Sequence, residues 1–255
     1  MPLELLVLWH NWDMRPQTAQ QFIDEIGEYH NAQRAADAAW FFKTGKGGYS
    51  EGDQFLGATV PKTRLVCKKF KDLALSEVQK LLDSPIHDHR LGAVIILVEQ
   101  YKKAKHDAQK RQDIFDLYLK NVYKGRVNNW DIVDTSAAYI VGPQLENTDR
   151  QLLFELAKSD NTWHRRTAIL SAAWFMRSGD GATTIELAKI LLYDKQDLIQ
   201  KAVGWQLREV GKRVDRQLLL GFLDKYAATM PRTALRYAIE HLPQEQRMYY
   251  MQLAR

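Results

Sequence analysis

The chain has 255 residues, 45% of them hydrophobic and 26% charged, with a net charge of +5 and a pI near 9.1. That composition excludes a disordered or fibrous chain and gives enough length for one large core or one extended repeat array. The basic balance favours a polyanionic partner only weakly, so the local placement of charge matters more.

The first residues, Leu3-Glu4-Leu5-Leu6-Val7-Leu8-Trp9, are apolar but lack a basic leader and a small-residue cleavage site, which argues against a signal peptide. Residues 1–13 are expected to be an N-terminal extension, with Met14 an alternative start, and residues 14–255 a single domain. No apolar run approaches the roughly 18 residues of a membrane span. Cys67 is the only cysteine, so no intrachain disulfide or cysteine-based zinc site can form, and a reducing cytoplasm is the expected compartment.

Helix follows helix along the chain. The spacing predicts helices over 19–28, 30–43, 61–71, 76–83, 87–105, 109–123 and 130–140, then over 147–158, 161–178, 182–193, 197–211, 215–228, 231–240 and 243–253. Thr18 to Gln21 and Ser76 to Gln79 fit capping boxes, and Pro61, Pro231 and Pro243 fit first helical positions. Gly45, Gly47, Gly48 and Gly52 interrupt the pattern in a loop, and Gly179-Asp180-Gly181 reads as a turn. Ile114, Leu117 and Tyr118 share one helical face, as do Leu198, Ala202 and Trp205. Hairpin signals flanked by alternating β-branched residues are absent.

Short helix pairs recurring every 35 to 40 residues predict an all-α fold, an α-solenoid of antiparallel pairs. Asp160–Ala168 and Asp197–Trp205 look like equivalent helix starts one repeat apart, and Asp83–Leu91 like another. Such an array exposes a concave face made by the second helix of each pair.

Basic residues gather at several of these starts. Lys201, Trp205, Arg208 and Lys212 share one helical face. Read as surface they are a solvated stripe; read as an interface, the cations meet phosphates and the indole packs on sugar or base. Arg165 and Arg166 lie beside Trp163 at a helix start, where backbone amides also attract phosphate. Lys62, Arg64, Lys68, Lys69 and Lys71 form a further cluster, Lys102 to Arg111 another, and Arg232 with Arg236 a last one.

Other chemistry is weak. Thr44-Gly45-Lys46-Gly47-Gly48 lacks the Gly-Lys-Ser/Thr ending of a nucleotide loop, and no strand precedes it. His87 and His89, two residues apart, point to different helical faces with no third ligand evident, so no metal is expected. No Gly-x-Ser-x-Gly elbow appears, and Cys67 has no obvious base beside it. The hexapeptide Asn129-Trp130-Asp131-Ile132-Val133-Asp134 stands out, because it sets an indole and a carboxylate four residues apart on one helical face. Asp131 compensates the helix dipole. Asp134 sits one turn deeper, where a carboxylate asks for a reason. Its bland reading is a helix-end carboxylate paired with an arginine.

From about Phe41 to Leu253 the chain resembles the AlkD-type DNA alkylation repair enzymes, the HEAT-like repeat alkylpurine DNA glycosylases. The resemblance is carried by Phe55–Pro61, Ser84–Arg90, Asn129–Asp134, Trp163–Ile169, Lys201–Glu209 and Met230–Tyr237. It implies a HEAT-like solenoid whose basic concave face binds DNA. It implies Trp130, Trp205 and Asp134 as the catalytic cleft and Arg166 as a grip on the nearby backbone. Arg165, Trp163, Lys201, Arg208, Lys212, Arg232, Arg236, Lys62 and Arg64 would be further DNA contacts. The implied partner is duplex DNA carrying cationic N3-alkyladenine or N7-alkylguanine, whose N-glycosidic bond a monofunctional monomer would hydrolyse without deep base flipping, cofactor or metal. Asn129 stands where some active members have a second aromatic, a change that would loosen the cleft or alter lesion preference. The rival readings are a non-catalytic binder of damaged or branched DNA on the same scaffold, and a protein-binding solenoid.

Overall fold

The structure is a computed structural model that describes residues 16–253. Among these, fourteen α-helices and one 3-10 helix carry the fold, and the only β-type pairing is a single bridge between Gln54 and Ile86. The all-α expectation therefore holds. No helix among the described residues is long and apolar enough to cross a membrane. The chain divides into two compact units, with the boundary between Gln100 and Tyr101.

The first unit holds α1 (Ala19–Gly27), α2 (Ala32–Phe41), α3 (Val60–Lys69), α4 (Leu75–Asp83) and most of α5 (His87–Lys103). Thr18 caps α1 with the full reciprocal box: its hydroxyl accepts from the Gln21 amide, and the Gln21 side chain accepts from the Thr18 amide. Ala19, Phe22 and Ile26 then fall on one buried face, packed on α3 and α4. Phe22 meets Phe70 edge-on and presses against Gly92, where a Cβ would lie 2.4 Å from the ring. The run Ala93–Val98 is buried all round, which marks α5 as a core helix. The second expected capping box is not there. Helix α4 begins at Leu75 after Ala74, with no side-chain cap, and Ser76 lies inside it.

The second unit holds α6 (Ala108–Tyr123), α7 (Trp130–Gln144), α8 (Gln151–Ala157), α9 (Thr162–Ser171), a 3-10 helix (Ala172–Ser178), α10 (Ala182–Leu191), α11 (Asp197–Arg213), α12 (Arg216–Tyr226), α13 (Arg232–Ala238) and α14 (Gln244–Leu253). Helices α7, α9, α11 and α13 pack in succession, while α8, α10 and α12 pack alongside. Close approach comes through glycines. A Cβ on Gly142 would sit 2.4 Å from Trp174 Cβ, and one on Gly204 would sit 2.3 Å from the Ala234 carbonyl oxygen.

The predicted helix 161–178 is two pieces. The Ser171 hydroxyl bonds back to the Thr167 carbonyl at 2.6 Å, and the chain tightens into 3-10 turns that end at Gly179, φ 81°. Helix 147–158 shortens to α8, because Arg150 takes a left-handed conformation just before it. Pro231 and Pro243 precede their helices by one residue and Pro61 is the second residue of its own, a shift within ordinary boundary scatter.

The faint sequence repeat is concrete in the hydrogen bonds. Ser84 accepts the Ile86 amide and meets His89 Nδ1 at 2.8 Å, while Arg90 donates to the Ser84 carbonyl at 2.9 Å. Ser159, Asn161, His164 and Arg165 repeat the arrangement, at 2.9 Å for both the histidine and the arginine contact. Asp194 and Gln200 form a third, reduced copy, with the Gln196 amide on the Asp194 carboxylate and the Gln200 side chain on the Asp194 carbonyl. Each copy ties a turn to the helix it opens. Burial holds His89 and His164 below the usual histidine range, which keeps both rings neutral members of these staples.

Candidate functional site

Helix α7 opens at Asn129, which is fully buried and takes φ 89° and ψ 145°, a region most side chains avoid. Its side-chain oxygen accepts the Trp130 amide at 2.9 Å. The residue expected to loosen the cleft thus caps the helix that carries it. Asp131 lies in the first turn, where its carboxylate accepts the Ile132 amide, consistent with a structural role at the positive end of the helix.

The rotation of α7 is fixed from below. Tyr118 of α6 is fully buried and donates to Ser136 at 2.9 Å, and Ser136 donates to the Ile132 carbonyl at 2.6 Å. Burial pushes the Tyr118 phenol well above its usual range, and the nearby Asp134 charge adds to the shift. With Ile132, Val133, Ser136 and Ala137 in the core, Trp130 and Asp134 are left half-buried on the other side of the helix.

Asp134 meets Arg166 of α9 in a two-pronged pair, with Nε to Oδ1 and Nη2 to Oδ2 both at 2.7 Å. The third guanidinium nitrogen, Nη1, donates to the Leu198 carbonyl at 2.6 Å. Arg166 therefore ties α7, α9 and the first turn of α11 together. Its side chain is 6% exposed and that of Asp134 is 19% exposed. Burial pushes the Asp134 carboxyl above its usual range, with Arg166 pulling against it. Trp205, on α11, is also half-buried. The buried stripe of α11 is Ile199, Ala202, Val203, Gln206 and Val210, so Leu198 and Trp205 lie at its edge rather than at its centre.

The predicted DNA contacts separate into two groups. Several cations are already engaged. Arg165 holds Asp194 at 2.6 Å and two carbonyls, Lys201 pairs with Asp197 at 2.7 Å, and Arg208 pairs with Glu240 and with Glu209 at 3.2 Å. Arg232 donates to the Met251 carbonyl. Trp163 is 8% exposed and belongs to the core. The start of α9 is not an open anion site either, because Asn161 accepts both the Trp163 and the His164 amides. Arg166 departs most from expectation, as its guanidinium is spent inside the protein. The second group, Lys212, Arg236, Lys62 and Arg64, is solvent-exposed. Lys62 lies over the Tyr29 ring at 5.0 Å and, with Arg64, belongs to the first unit.

The profile of the family described as DNA alkylation repair enzyme matches residues 22–242. The chain belongs to that family. A solved structure from Enterococcus faecalis, described as a predicted DNA alkylation repair enzyme, superposes with a TM-score of 0.64 at 16% identity, covering 84% of this chain and 97% of its own. That likeness speaks for the fold. No curated protein matches the sequence. For this DNA alkylation repair family member a role in DNA repair follows, with DNA as its partner. His87 and His89 do not form a metal pair: His87 stacks on Phe55 at 4.5 Å and lies 3.5 Å from Asp53, while His89 faces Ser84. No group of three or more metal-ligating residues occurs among the described residues.

Two features of the site had no sequence signal. The Leu198 carbonyl is backbone and invisible to a side-chain pattern. The acidic partners Asp194 and Glu240 lie 29 and 32 residues from the arginines they neutralise, outside any local window.

Proposed function

We propose that this protein is a monofunctional DNA glycosylase that hydrolyses the N-glycosidic bond of cationic alkylated purines, N3-alkyladenine and N7-alkylguanine, in duplex DNA. The observation that carries the reading is the half-buried Asp134 carboxylate, locked by two hydrogen bonds to Arg166 on the helix face that also bears Trp130. Alkylation makes the base a cationic leaving group, so positive charge develops on the deoxyribose as the bond breaks. A fixed carboxylate in a partly desolvated setting stabilises that charge at little reorganisation cost and positions the attacking water. Trp130 and Trp205 supply π-faces to the same cation.

In this reading Arg166 is a positioning residue. It aims the carboxylate and leaves phosphate contact to the exposed cations Lys212 and Arg236, with Lys201 and Arg208 reaching phosphate by exchanging partners. The test is base release from methylated duplex under single-turnover conditions. Asp134→Asn should slow it tenfold to thousandfold, roughly the range for losing one electrostatic stabiliser. Equal rates in the variant and the parent would remove Asp134 from the mechanism.

A second reading has an observation of its own. The Arg166 pair neutralises Asp134, as a purely structural ion pair would, and that favours a non-catalytic binder of damaged duplex. Such a protein would hold methylated DNA and release no base.

A further inference from the structure

Where the end of α11 meets α12 and α13, the second unit has a cleft of about 130 Å³. Its wall includes Arg208, Lys212, Arg216 and His241 over a floor of Leu219, Ala238 and Leu242. The space is well below the roughly 300–1,000 Å³ of sites for drug-sized ligands. It suits a small, compact, highly charged group.

The charge balance points one way. Arg208 is compensated by Glu209 and Glu240. Lys212 has neither an ion-pair nor a hydrogen-bond partner among the described residues. Arg216 donates to the Gln246 side chain at 2.8 Å, a neutral partner that leaves its charge uncompensated. Arg208 Nε is also buried without a hydrogen-bond partner among the described residues. No carboxylate lines the cleft.

We infer that this cleft is a phosphate-binding site, held by Lys212 and Arg216 with Arg208 and His241 as further donors. The site is separate from the Asp134–Arg166 pair and engages one tetrahedral oxyanion. Two sources share that chemistry, a phosphodiester of the DNA backbone and a free phosphate or phosphomonoester. Only the first rests on duplex DNA being the partner, which both readings above share.

The experiment uses the full chain. The His241 imidazole resonances, assigned with His241→Asn, are followed while inorganic phosphate is added at constant ionic strength. Undamaged duplex binding is measured in parallel across a range of salt concentrations. Phosphate should shift the His241 resonances saturably in the parent protein. The paired substitution Lys212→Gln with Arg216→Gln should weaken that binding at least tenfold, with the helical circular dichroism unchanged. If the backbone is the source, the same paired substitution flattens the dependence of log affinity on log salt by about 0.9, the contribution of one phosphate. An unchanged slope with intact phosphate binding assigns the cleft to a free phosphate group. No saturable shift in the parent, together with an unchanged slope in the variant, overturns the proposal. Base release from methylated duplex is scored separately, so a protein that binds phosphate but excises nothing loses the glycosylase reading and keeps this site.

Discussion

In the proposed mechanism the chemistry rests on two side chains, the bidentate Asp134–Arg166 pair. Because burial raises the Asp134 carboxyl, the ionised form gives way to the neutral one at a higher pH than the roughly 3.9 of a free aspartate. The carboxylate is the form that stabilises a developing cation. Single-turnover base release should therefore fall as pH drops through that raised value, and the Asp134→Asn variant should lack this limb. A parent rate flat down to pH 4 would contradict the assignment. Arg166 makes a separate prediction. Arg166→Lys keeps the charge but loses the two-pronged geometry and the bond to Leu198, so base release should drop by about tenfold or more. Arg166→Gln removes the charge, and since Arg166 is buried and already neutralised, the slope of duplex affinity against salt should stay unchanged in that second variant. A flatter slope would return Arg166 to the phosphate-contacting role that the family resemblance implies.

The helices were legible where periodicity and caps agree. The α1 box at Thr18 and Gln21 is plain in the sequence because both partners are local. Ser76 and Gln79 matched the same pattern but lie inside α4, since the chain turns into that helix one residue earlier and buries Val78, Leu81 and Leu82. The break at Ser171 was not legible: it depends on a hydroxyl bonding within its own helix and on α7 crowding the Ser171 carbonyl. That crowding gives a stability test. Gly142→Ala and Gly204→Ala each set a methyl within 2.4 Å of another element, so each should lower unfolding free energy by about 1–3 kcal/mol in urea titrations. Gly221, where a Cβ meets nothing within 4 Å, is the control, and Gly221→Ala should be neutral to stabilising. Equal stability of all three variants would contradict the close helix approach at Gly142 and Gly204.

For the whole molecule, composition and periodicity were enough to give an all-α fold, and the Asn129–Asp134 hexapeptide pointed to the candidate site proposed around the Asp134–Arg166 pair. The electrostatic surface was harder to read. A sequence displays cations, while the fold decides which of them are spent on carboxylates and carbonyls, as with Arg165 on Asp194 and Arg208 on Glu240. Family membership assigns the molecule to DNA alkylation repair and leaves the reaction itself to direct assay. The most direct measurement is single-turnover release of N7-methylguanine from methylated duplex, with enzyme in excess, in the parent and in Asp134→Asn. Release well above the spontaneous rate in the parent, cut at least tenfold in the variant, is the predicted result. Release at the spontaneous rate in the parent, or equal release in both, would contradict it.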